Sequence, residues 1–129
     1  MAQVLLDTTF FIDLRRGDLP ARRVWEQIRS GELTAAYSSV TAYELWLSKA
    51  LDSSDELFFG ALFSLLEEAP LRAEAAIQAA VWLRDVPRRT RERRLRDAFI
   101  AATARLRGEA VYTRNTADIR RHYANVKRY

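Results

Sequence analysis

Short apolar runs that alternate with longer stretches of helical spacing constrain this chain more than any other feature. "VLL" at 4–6, "ELTAAYSS" at 32–39 and "AVYT" at 110–113 read as strands, since each is a brief apolar segment bounded by polar residues. Helical spacing fills the intervals. "FFIDLRR" stops at Gly17, and "ARRVWEQIRS" is opened by Pro20 and closed by Gly31. "VTAYELWLSKAL" follows, then a fourth helix from Ser53 through "LFFGALFSLLEE". "RAEAAIQAAVWLRDV" is stopped by Pro87, "RDAFIAATARLRG" is closed by Gly108, and "TADIRRHY" is short. Pro70 and Leu71 mark a break expected to hold an abbreviated strand, and Val126 an edge strand. Strands separated by helices favour a parallel sheet with right-handed crossovers. The expectation is a single α/β domain over residues 1–129: a three-layer α/β/α sandwich with a short, mostly parallel central sheet.

A chain of 129 residues with 49% hydrophobic content buries a core unaided. It has no Cys, so neither disulfides nor thiolate zinc sites are available. No basic-then-apolar leader opens the sequence, and no apolar run nears the roughly 18 residues of a membrane span. A soluble, cytoplasmic protein with no membrane partner is expected. The net charge of +4 and a pI near 9.8 favour a polyanionic partner. Of the 21 basic residues only Lys49 and Lys127 are lysine, and arginine suits bidentate phosphate contacts.

Chemistry is narrowed by elimination. His122 is the sole histidine, which excludes a two-histidine ribonuclease; in a basic helix it is expected to be solvated. Glycine-rich phosphate loops are absent. Carboxylates remain, and three hold comparable places: Asp7 after the first strand, Glu44 on the helix after the second, and Asp97 on the penultimate helix. In an open α/β sheet the carboxyl ends of the strands lie along one edge, so the three can converge there. Each also has a local use. Asp7 can cap the following helix, Thr41 and Glu44 have capping-box spacing, and Asp97 can pair with Arg94 or Arg96 on the surface. Clustered carboxylates suit Mg²⁺ or Mn²⁺, hard cations used in phosphoryl chemistry.

Four ordered motifs carry a family resemblance. "VLLDTTFFIDLRR", "SSVTAYELWLSKA", "LRDAFIAATARLRG" and "VYTRNTADI" resemble the successive motifs of PIN-domain ribonucleases of the VapC-type toxin class, the nuclease half of type II toxin–antitoxin pairs. The resemblance implies a Mg²⁺- or Mn²⁺-dependent endoribonuclease that leaves a 3′-hydroxyl and a 5′-phosphate. It places Asp7 and Asp97 as ligands and Glu44 as ligand or base, with either Asp118 or Asn115 completing the site. Thr9 would hold the Asp7 carboxylate, and Thr113 would contact a coordinated water or a phosphate. Asn115 stands where many members carry an acid, which implies one firmly held ion. The resemblance also implies an antitoxin partner and a homodimer. The competing readings are a non-cleaving PIN-like module that binds RNA or a partner, and a housekeeping RNA-maturation nuclease.

Two further stretches bear on partners. "RDVPRRTRERRLRD" sets Arg91, Arg93 and Arg94 just upstream of Asp97, either as a funnel for RNA phosphates or as a solvated connector. "LFFGALFSLL" carries more Phe and Leu than one buried face needs, so Phe59 and Phe63 are expected to meet an antitoxin helix unless the excess is core.

Overall fold

The computed structural model describes residues 2–129. Five strands, β1 (Val4–Leu6), β2 (Ala35–Ser38), β3 (Glu67–Ala69), β4 (Ala110–Tyr112) and β5 (Val126–Lys127), form one sheet in the order β3-β2-β1-β4-β5. Every pairing is parallel. Seven helices surround the sheet among the described residues: α1 (Thr8–Arg15), α2 (Leu19–Arg29), α3 (Ser39–Leu47), α4 (Ser53–Ser64), α5 (Ala73–Leu83), α6 (Arg88–Arg107) and α7 (Thr116–Arg120).

The period-2 alternation of β1 divides the core. Val4 and Leu6 pack with Phe10, Phe11, Leu14, Val24, Phe59 and Leu62, from α1, α2 and α4. Leu5 points to the opposite face, where it meets Ile100, Ala101 and Ala104 of α6 and Ile119 of α7. Alanines 75 and 79 of α5 and 98 and 102 of α6 bring those two helices together outside the sheet. This is the three-layer sandwich expected from sequence. Gly17 (φ 81°) and Gly108 (φ 70°) end their helices in the left-handed region that a side chain disfavours. Asp18 caps α2 through Ala21, and Asp52 and Asp55 form a capping box on α4. No helix among the described residues is long and apolar enough to cross a membrane.

Three local expectations are corrected. The strand expected at Pro70 and Leu71 lies earlier, at Glu67–Ala69, where helical spacing continues the tail of α4. Its partner decides: Ala36, Tyr37 and Ser38 of β2 pair with Glu67, Glu68 and Ala69. The helix carrying Glu44 stops at Leu47, because Ser48 turns extended and its hydroxyl accepts from the amide of Ala50. The arginine run is no connector. Arginine is a good helix former, nothing breaks the chain between Pro87 and Gly108, and residues 88–96 form the first turns of α6.

Candidate active site

β1 and β4 are neighbours at the point where the strand order reverses, so their carboxyl ends open the crevice in which such sheets bind ligands. Asp7 follows β1 and Thr113 follows β4, and the amide of Asp7 donates to the carbonyl of Tyr112 at 2.9 Å. Asp7 holds the N-cap position of α1, yet its side chain caps nothing. Its Oδ2 accepts instead from the hydroxyls of Thr9 (3.0 Å) and Thr113 (2.8 Å). Those hydroxyls accept from the amides of Arg114 (3.1 Å) and Asn115 (3.0 Å). A hydroxyl has one proton, and an amide on its lone pair leaves that proton for the carboxylate. Asp7 is 5% exposed, and no described residue donates to its Oδ1.

Glu44 is drawn from two sides. Oε1 accepts from Thr8 at 2.7 Å, Thr8 accepts in turn from buried Thr41, and Oε2 pairs with Arg96 at 3.2 Å. The capping role open to Thr41 and Glu44 is not used, since Ser38 caps α3 through the amide of Val40. Burial holds the Glu44 carboxyl above its ordinary range, and the charge of Asp7 adds to that against the pull of Thr8 and Arg96.

Asp97 sits midway along α6, half-buried, and receives neither hydrogen bond nor ion pair among the described residues. Its carboxyl is pushed up to about 7, first by burial and then by the charges of Asp7, Asp118 and Glu44, with Arg121 opposing. Asp7, Asp118 and Glu44 thus all act on Asp97, and Asp7 acts on Glu44 as well. Among the described residues no three His, Asp or Glu side chains form a finished ligating cage. A hydrated hard cation does not need one: Mg²⁺ keeps several waters and takes one or two carboxylates. The free Oδ1 of Asp7, the unpartnered Asp97 and the surplus of negative charge fit such an ion, and the all-oxygen donor set points away from zinc.

This crowding destabilises the metal-free protein. A carboxyl raised from 3.8 to about 7 binds its proton more tightly folded than unfolded. The stabilisation is complete below pH 3.8 and is lost as pH rises through about 7. Three pH units set an upper bound of about 4 kcal/mol, and solvent screening at this half-buried site reduces it to about 1–2 kcal/mol. Asp97→Asn is expected to raise the melting temperature of metal-free protein at pH 8 by about 4–8 °C, and by much less at pH 4. Calorimetry at the two pH values checks this; an equal or lower value at pH 8 contradicts it.

Beside the acids lies a cleft of about 330 Å³ lined by Thr90, Arg93, Arg94, Asp97, Asp118 and Arg121. Each side carries both signs: α6 supplies Arg93, Arg94 and Asp97, and α7 with its C-cap supplies Asp118 and Arg121. Arg91 points elsewhere, into a recess with Ala76, Ala80 and Leu83 of α5, so the arginine run divides between two faces. Asn115 is exposed and its side chain caps nothing, whereas Asp118 is in the field of Asp97 and 3.7 Å from Arg121. His122 is not solvated. It stacks on Trp82 at 5.2 Å, its Nε2 is buried without a partner, and burial, then Arg121 and Arg94, lower its pKa.

On the other flank, a groove of about 260 Å³ between α1, α3 and α4 runs from Glu44 past Ile12, Arg15, Leu45 and Phe59. Phe59 forms its floor but is only 5% exposed, and Phe63 stacks on Tyr37 at 4.0 Å and meets Phe11 edge-on at 5.4 Å. Both phenylalanines are core-packing residues; the apolar excess that reaches solvent is Leu57, Leu65, Trp46 and Leu47. Sequence reasoning missed Thr8, Thr41, Arg96 as the partner of Glu44, and Arg121. Arg121 is legible in retrospect as the residue one helical turn beyond Asp118.

Fold and site together define a parallel α/β domain whose carboxylates meet at the strand-order reversal beside a basic cleft. The PIN domain family model matches residues 4–125, and the chain belongs to the PIN-domain family. Comparison with curated protein sequences finds no match. Among solved structures the chain is similar to a DNA-bound VapBC from Salmonella typhimurium (22% identity, TM-score 0.73, covering 100% of this chain and 98% of that one). It is similar to VapBC2 from Rickettsia felis bound to a promoter DNA fragment (18%, 0.72, 98% of each). A toxin–antitoxin complex from Klebsiella pneumoniae matches at 25% identity and TM-score 0.71, over 96% of this chain and 95% of that one.

Proposed function

We propose that this chain is a Mg²⁺- or Mn²⁺-dependent endoribonuclease and the toxin of a toxin–antitoxin pair. The observation that carries the reading is Asp97, half-buried and without a partner among the described residues, at the edge of a cleft lined by Arg93, Arg94 and Arg121, its carboxyl raised first by burial and then by three other acids. A divalent cation bound there supplies activation of water and neutralisation of charge at a phosphodiester. Asp7 and Asp97 would hold that ion, Asp7 with the oxygen its threonines leave free, and Asp118 adds a further negative charge beside them. Glu44 takes the proton of the attacking water at Oε2 once Arg96 releases it. The water oxygen bonds to phosphorus as the P–O3′ bond breaks, and O3′ takes a proton from solvent water, leaving a 5′-phosphate and a 3′-hydroxyl. Arg93, Arg94 and Arg121 receive the flanking backbone, offsetting the repulsion between RNA and acids. Thr113 acts on Asp7 rather than on the substrate.

The partner that fits the groove ending at Glu44 is an antitoxin helix bearing a cation. Homodimerisation and a cytoplasmic location belong to the same reading. Expression should arrest growth, and co-expression of the neighbouring antitoxin gene should restore it; growth unaffected by a protein that cleaves RNA in vitro points to RNA maturation instead. The cleft makes its own prediction. Arg94→Ala with Arg121→Ala should weaken RNA binding and flatten the log–log salt dependence by about 0.7 for each phosphate no longer neutralised. Fluorescence anisotropy across salt concentrations reads the slope, and an unchanged slope places the strand elsewhere.

A further inference from the structure

Asp13 is a buried acid, 5% exposed, on α1 in the company of Phe10, Phe11 and Leu14. It is not among the charges that act on Asp97 or Glu44. Both its oxygens are engaged. Oδ1 accepts from the guanidinium of Arg114, and Oδ2 accepts from the phenol of Tyr129 at 2.6 Å. Burial, then the bond to Asp13, raises the Tyr129 phenol above its ordinary value, so it stays a donor throughout the neutral range. The ring of Tyr129 packs edge-on against Phe10 at 5.5 Å.

Arg114 is also held along its backbone. Its carbonyl accepts from Arg128 at 3.0 Å and its amide donates to Thr9, while the next amide, of Asn115, donates to Thr113. Those two hydroxyls are the ones that converge on Oδ2 of Asp7. The pair is buried on the Asp13 side only, Arg114 being 39% exposed, and desolvation of the carboxylate offsets much of the attraction. What this pair fixes is place: it ties the segment after β4 to the helix after β1.

We infer that Asp13 is a positioning residue for the acid site. By gripping Arg114 it sets the turn at Thr113–Asn115 so that two hydroxyls occupy one oxygen of Asp7 and the other stays open to the cation. The inference rests on the metal-nuclease reading above. Groups that orient a ligand from behind are commonly worth 10- to 100-fold in metal affinity.

The test is Mn²⁺ affinity, read from the electron paramagnetic resonance of free Mn²⁺, which requires no turnover. Parent, Asp13→Asn, Thr113→Val and the double variant are compared, each checked for folding by circular dichroism. Each single variant should bind Mn²⁺ about tenfold more weakly. The double variant should bind no worse than the weaker-binding single, because both changes cut one chain of hydrogen bonds. Excess Mn²⁺ should then restore cleavage to Asp13→Asn. Parent-like affinity in folded Asp13→Asn overturns the inference, as does a double variant whose loss is the product of the two. Should Asp13→Asn not fold, Tyr129→Phe keeps the ring and removes one donor; a smaller loss of the same sign supports the inference and unchanged affinity overturns it. A parent that binds no Mn²⁺ overturns the metal reading itself, whereas a binding parent with unaffected variants overturns only the role of Asp13.

Discussion

Asp97→Asn and Asp7→Asn should each reduce RNA cleavage at least about a hundredfold, the upper end of what outer-shell changes alone cause at metal sites. Asn keeps the shape of the side chain and removes the charge that a hard cation requires. The two variants should differ in other respects. Asp7 accepts from two threonine hydroxyls and is buried, so its replacement disturbs the hydrogen bonds that join β1 to β4. Asp97 has no donor to lose, so Asp97→Asn should fold well and bind RNA at least as tightly as the parent, one repulsive charge having gone. Single-turnover cleavage with Mg²⁺ and with Mn²⁺, paired with binding of an uncleavable RNA, separates these effects. Full cleavage by both variants sinks the proposed mechanism.

Phe59→Glu should leave no cooperatively folded protein. Phe59 is packed beside Leu45 and Leu62 within the cluster that covers Val4 and Leu6. Truncating a buried phenylalanine costs about 3–5 kcal/mol, and an unpaired carboxylate in its place costs more. Against a typical total of about 5–15 kcal/mol this consumes most of the stability. Leu57, two residues earlier on the same helix, is 76% exposed, and Leu57→Glu should shift stability by no more than about 0.5 kcal/mol. Thermal melts of the pair check both expectations; a folded Phe59→Glu contradicts this account of the core. Leu57→Glu is the variant with which to ask whether the exposed apolar surface of α4 meets a partner.

Much of the molecule is legible in its sequence because the causes are local. Gly17, Gly31 and Gly108 end helices wherever they stand, and β1 announces itself as three apolar residues followed by an acid. The strand-order rule allows Asp7, Glu44 and Asp97 to meet before any neighbour is known, and the family motifs single them out. Features fixed by distant partners are not legible. Glu67–Ala69 has no apolar pattern of its own and is a strand because β2 offers it an edge. Which phenylalanine of "LFF" turns inward depends on where α4 crosses α1, and so Phe59 is core while Leu57 is bare. The arginine run carries a charge but not a direction, and the structure sends Arg93 and Arg94 toward Asp97 and Arg91 toward α5. Asp13 leaves only a faint trace, an acid set into the apolar stripe of "FFIDL".

The central position of β1 has a bearing on the birth of the molecule. A ribosome delivers Asp7 106 residues before Thr113, the hydroxyl that will hold it. At about 5–20 residues per second that interval is roughly 5–20 s. Throughout it the first carboxylate waits without its hydroxyl from β4, beside a sheet missing the strand on one side. A translation product that stops short of β4 contains Glu44 and Asp97 but lacks the Thr113 hydroxyl that holds Asp7. Under the proposed function, this ordering predicts that copies ending before β4 do not cleave RNA, because Asp7 gains its second hydroxyl only when β4 joins β1.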